Sequence, residues 1–118
     1  MSQPCSAVEL VLFDARGLAF PEMRAAVDGA IRLGVLAGAV YDAEDVIALV
    51  DHVGMAEMLG FWFGDAGGWP FERAATFAGV EPGRTLFVSD DPLARSVAEQ
   101  TGLQVHDPRD GGIEQRLP

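Results

Sequence analysis

The stretch VLFDARGLAF, Val11 to Phe20, decides how the rest of the chain is read. Its opening residues extend the apolar run VELVLF, Val8 to Phe13, which has the length and composition of a buried strand. The run ends on Asp14, and a glycine follows at Gly17. Many strand-to-loop catalytic sites begin this way. Two residues past the aspartate, where such a site often carries a second acid, the chain has Arg16. The pair Asp14 and Arg16 therefore belongs to a working site, a modified one or the remains of one.

Outward from this strand, short apolar runs alternate with helical periods. Met23, Ala26, Val27, Ala30 and Ile31 recur at helical spacing with Arg24, Asp28 and Arg32 on the other face, and Gly34 is a natural stop. Val35–Val40 reads as a second strand. Asp42 is suited to cap a helix with Glu44 and Asp45 in its first turn and a stripe of Val46, Leu49, Val50 and Val53. Phe61–Phe63 reads as a brief third strand. Pro70 suits a first helical position, with Phe71, Ala74, Ala75 and Ala78 as the stripe before Gly79. After the turn Glu81–Arg84 come a fourth strand, Thr85–Ser89, a helix from Pro92 to Thr101 stopped by Gly102, and a fifth strand, Leu103–His106.

This alternation predicts an α/β fold, a doubly wound parallel sheet in a single domain spanning residues 1–118, with residues 1–6 and 109–118 as frayed ends. Ligands in such sheets sit outside the carboxyl ends of the strands. The residues assigned to those ends are Asp14, Ala37 with Gly38, Asp65, and Asp90 with Asp91.

Composition narrows the functional classes. The net charge of −10 disfavours nucleic acid and anionic membrane as partners. Arginine supplies all eight basic side chains, so no lysine is present for catalysis. No run reaches the roughly 18 apolar residues of a membrane span. The N-terminus lacks the basic region of a secretory signal, and the lone Cys5 has no internal disulfide partner, so a cytoplasmic setting is expected. No GxGxxG or P-loop pattern occurs.

The order of motifs resembles the haloacid dehalogenase (HAD) superfamily over nearly the whole chain. Members open with hhhhDxDG at the end of strand one, where this chain has VLFDARG. They close strand four with a metal-binding acid, as in LFVSDD here, and the run EPGRTLFVSDDPLARSVAEQTGLQV resembles their closing segment. The resemblance implies a three-layer α/β/α Rossmann-like fold with a five-stranded parallel sheet and strands one and four side by side, bringing Asp14 near Asp90. The segment from Leu18 to Gly34 is too short for an inserted cap, so a capless member is expected.

The same resemblance assigns roles, and the sequence departs from several. Asp14 matches the family nucleophile. Arg16 stands in place of the general acid, and an arginine donates no proton to a leaving group at neutral pH. Ala37, with Gly38, stands where a Ser or Thr would bind the phosphoryl group. Gly68 or Trp69 occupies the place of a basic residue, and Arg95 that of a second acid that helps to hold Mg²⁺. Phosphoryl transfer depends on positioning and on cancelling the charge between carboxylate and phosphate. With two acids replaced by two cations, Asp14 and Asp90 are expected to bind Mg²⁺ weakly or not at all, and no cofactor is required. Arg95, Ala37 and Gly38 remain as the candidate ligand-binding positions.

The expected function is a HAD-like protein with a degenerate site and little or no phosphatase activity. It would act by binding a protein partner, a second copy of itself, or a small phosphorylated or anionic ligand. The alternative is an active phosphohydrolase using Asp14. The dehalogenase branch, which reads DAYGT against DARGL here, works without metal but keeps a cationic residue and usually a cap. A receiver-like domain is disfavoured because it requires a lysine near strand five. Asp91 is read as the cap of the Pro92 helix, and His52 and His106 as structural. Trp62 and Trp69, within FWFGDAGGWPF, are read either as ordinary packing or as side chains partly exposed at a pocket mouth or an interface.

Overall fold

The computed structural model describes residues 7–17, 20–41, 61–64 and 69–117. Five parallel strands form one sheet: β1 (Leu10–Asp14), β2 (Leu36–Tyr41), β3 (Phe61–Gly64), β4 (Thr85–Val88) and β5 (Gln104–His106), in the order β3-β2-β1-β4-β5. Every residue of the central strand β1 is buried, as expected of a strand covered on both faces. Alternation divides its side chains between two cores. Val11 and Phe13 enter one with Leu86 and Val88, while Leu10 and Leu12 enter the other with Phe87.

Helices cover both faces. Helix α1 (Pro21–Arg32) starts on a proline whose fixed φ suits the first turn, and buries Met23, Ala26, Val27 and Ala30 on the first core. Helices α2 (Phe71–Ala78) and α3 (Pro92–Thr101) bury Phe71, Ala74, Ala75, Ala94 and Ala98 on the second. Burying each of the fully enclosed rings of Phe13, Phe71 and Phe87 contributes about 1.5–3 kcal/mol. Helix α3 is capped at its start by Asp91, whose side chain accepts the Leu93 N–H at 2.9 Å, and at its end by Gly102 in the left-handed region with φ 102°. The capping role read for Asp91 is thus present.

Several expectations shift. Pro70 is the residue before α2, not its first residue, and Ile31 is 40% exposed at the edge of the α1 stripe. The helix expected from Asp42 lies outside the described residues, as do residues 1–6. The larger correction concerns the tail. Residues 109–117 are not frayed: short 3-10 turns at Pro108–Asp110 and Ile113–Gln115 fold it back onto α1. Ile113 is 1% exposed in the first core, and Leu117 is buried beside it. Gly29 makes the close approach possible, since a Cβ there would come within 2.9 Å of Ile113 Cγ2. A tail that buries an isoleucine has an apolar reason to stay ordered despite its polar composition.

Candidate functional site

The register of β1 against β4 pairs Phe13 with Val88, so the next residues, Asp14 and Ser89, emerge side by side at the carboxyl end of the sheet. Both are buried. The Ser89 hydroxyl donates to Asp14 Oδ2 at 2.8 Å and accepts the Asp91 N–H at 3.0 Å. On the other carboxylate oxygen, the Arg16 backbone N–H donates to Oδ1 at 3.0 Å, and the Arg16 Nε approaches the same oxygen at 3.5 Å. Burial pushes the Asp14 carboxyl above its ordinary range, against the opposing pull of the Ser89 hydroxyl and the Arg16 guanidinium and amide.

Arg16 extends from this carboxylate across the mouth of the site. Its Nη2 lies 3.4 Å from Asp91 Oδ2, and its guanidinium carbon stands 5.0 Å from the centre of the Trp69 ring. Trp69 is fixed in turn: it stacks on Phe71 at 5.4 Å and meets Phe87 edge-on at 5.5 Å. Trp69 is half-buried and takes part in both packing and the mouth of the site. For Trp62, the described residues give no side-chain account.

Of the residues expected here, Asp14, Arg16 and Asp91 are brought together. Ala37 and Gly38 are not. They pair with Val11 and Leu12, whereas Val40 is the β2 residue level with Asp14. At about 3.3 Å per strand residue, Ala37 is about 10 Å short of the carboxyl edge. Both are buried, so the ligand-binding role expected for them has no surface to act on.

Arg95 and Asp90 reach a neighbouring cluster. Arg95 Nη1 donates to the Ser89 carbonyl at 2.8 Å and lies 3.2 Å from Asp107 Oδ2. Arg109 holds the same Asp107 carboxylate with Nε at 3.0 Å and Nη2 at 2.8 Å, and its Nη2 also donates to the Asp90 carbonyl at 3.1 Å. Hydrogen bonds from Arg109 hold Asp107 down to about 2, against the opposing effect of burial. Arg95 thus ties the residue after β4 to Asp107, and Asp90 joins the network through its backbone carbonyl. His106 is buried, with its Nε2 donating to the Gly111 carbonyl at 3.1 Å, which fits its structural reading.

Sequence reading passed over two residues of this region. Ser89 was taken only as the last residue of a strand. The available signal was its place as the polar residue that follows the apolar run Leu86–Val88 and directly precedes Asp90 and Asp91. Asp107 follows β5 and precedes Pro108, a pattern that marks an Asx turn, and its side chain accepts the Arg109 N–H at 2.9 Å.

No family model matches the sequence, and no curated protein matches it. Among the described residues, no group of three or more His, Cys, Asp or Glu is arranged to hold a metal ion, and no helix is long and apolar enough to cross a membrane.

Proposed function

We propose that this chain is a capless HAD-like protein whose catalytic site has been remodelled into a structural and binding element, with little or no phosphatase activity. One observation carries the reading: both oxygens of the Asp14 carboxylate are engaged within the protein, Oδ2 by Ser89 and Oδ1 by Arg16. A nucleophilic carboxylate needs an oxygen free to approach phosphorus, and a path to it. Here Arg16, tethered to Asp91 and standing against Trp69, covers that approach.

The same arrangement argues against Mg²⁺. A hard divalent ion wants several carboxylate or carbonyl oxygens at short range. Asp14 instead faces an O–H, an N–H and a guanidinium, and Asp91 is occupied as a helix cap and an ion-pair partner. The donor set around Asp14 does not fit the ion. The chain then acts in a cytoplasmic setting through a partner protein or a small ligand.

Hydrolysis of a generic aryl phosphate, with and without Mg²⁺ and beside an Asp14→Asn control, tests the proposal. The expected result is no turnover above the control. Turnover that disappears in Asp14→Asn would establish the phosphohydrolase alternative and make Arg16 a participant in it.

A further inference from the structure

Two adjoining hollows run along α1, and Asp14 lines neither. One, of about 340 Å³, lies between α1 and the folded-back tail, over Ala25, Ala26 and Ile113. The other, of about 150 Å³, lies at the start of α1 beside the exposed ring of Phe20. They share Glu22 and Pro108 as walls, so together they make one groove with an apolar floor.

Its walls carry an excess of negative charge. Glu22, Asp28 and Glu114 line the larger hollow, and Asp90 with Glu22 lines the smaller. The two cations present are already committed. Arg32 lies 3.3 Å from Asp28 and 3.8 Å from Glu114, and Arg109 is held by Asp107, a residue that lines neither hollow. Asp90 lies close enough to Arg109 for the two charges to interact, so Glu22 is the carboxylate least compensated, on a chain whose net charge is already −10.

We infer that this groove docks a basic, extended segment of a partner protein. Arginine or lysine side chains of that segment pair with Glu22, the acidic residue shared by both hollows, and its apolar side chains rest on Phe20 and the alanine floor. Charge complementarity selects this occupant. A second copy docked through the same groove would set Glu22 and Asp28 against an equally acidic wall, and nucleic acid is repelled by the same field. The inference gives a partner class to the binding role proposed above and rests on that role. It does not use Asp14, so the phosphatase assay and the groove experiment fail independently.

The test is an amide-shift titration of the full chain with a short peptide of alternating arginine and leucine, beside one in which glutamate replaces arginine. Glu22→Arg and Ala25→Trp provide the variants, both at exposed positions, with retained amide dispersion as the check on folding. The expected result is a single saturable set of shifts at Glu22, Ala25, Asp28, Ile113 and Glu114, seen with the basic peptide alone. Glu22→Arg then weakens binding by about tenfold or more, and Ala25→Trp blocks it. Shifts spread over the acidic surface without saturation would overturn the inference, as would unchanged affinity in either variant. Concentration-dependent shifts at these residues without peptide would assign the groove to self-association and overturn it equally.

Discussion

The Ser89 hydroxyl joins the two ends of the candidate site, donating to Asp14 Oδ2 at 2.8 Å while accepting the Asp91 N–H at 3.0 Å. It does so where Ser89 is fully buried and Asp14 is 2% exposed. Ser89→Ala removes a donor from a buried carboxylate and an acceptor from the first residue ahead of α3. Leaving such groups unsatisfied costs about 1–3 kcal/mol, well beyond the loss of one exposed hydrogen bond. Urea unfolding at neutral pH checks this, and the Ser89→Ala/Asp14→Asn cycle isolates the coupling. A loss below about 0.5 kcal/mol, the range of an ordinary surface change, would reject the link.

Arg16 answers differently, because its side chain is 41% exposed and its ion pairs are long, at 3.5 Å to Asp14 and 3.4 Å to Asp91. Arg16→Ala is expected to cost no more than about 1 kcal/mol, the range for exposed pairs and cation–π contacts. Its clearer readout is the Trp69 environment. In a Trp62→Phe background, where Trp69 alone reports, removing the guanidinium 5.0 Å from the ring centre should shift the emission. An unchanged spectrum would mean that Arg16 does not occupy the mouth in solution.

The strands and their parallel sense were legible in the sequence because buried parallel strands read as short apolar runs between helical periods, whereas the pairing of β1 with β4 was only what the family resemblance implied. Asp91 was legible as a cap because Asp-Pro before an amphipathic period has a local meaning. Ala37 and Gly38 were misplaced because strand level depends on register, which local pattern does not fix. The tail was misread for a related reason. The segment PRDGGIEQRLP has the composition of a loose end, and only the tertiary contact of Ile113 with α1 turns it into core. Ser89 and Asp107 draw their importance from partners far along the chain or across a turn, Asp14 and Arg95 among them.

That correction to the tail can be measured. Ile113 is 1% exposed and packs in the core beneath α1, so Ile113→Ala should cost about 2–5 kcal/mol, as large-to-small core changes do. The neighbouring Glu114→Ala, at an exposed side chain, should stay within about 1 kcal/mol even with its pairing to Arg32 removed. Denaturant midpoints for the two variants decide the matter. Similar small losses in both would restore the frayed reading.

Asp14 and Asp107 give opposite pH dependences, and the signs follow from their surroundings. Burial raises Asp14 above the ordinary 3.8, so the native chain keeps a proton that the unfolded chain has released. Its contribution therefore falls as pH rises from about 3.8 through the native value, and the deficit is complete above that. Asp107 is held down to about 2 by Arg109, so its contribution is complete above the unfolded value and is lost as pH falls toward about 2. Asp14→Asn removes the first slope, and its stability relative to the parent chain should rise with pH above about 3.8. Asp107→Asn removes the second, and its deficit should be largest near neutral pH and shrink toward about pH 2. Urea midpoints across that range test both trends in one series. Curves that run parallel to the parent's would show that neither carboxyl is perturbed, and a reversed trend for Asp14→Asn would mean that Ser89 and Arg16 outweigh its burial.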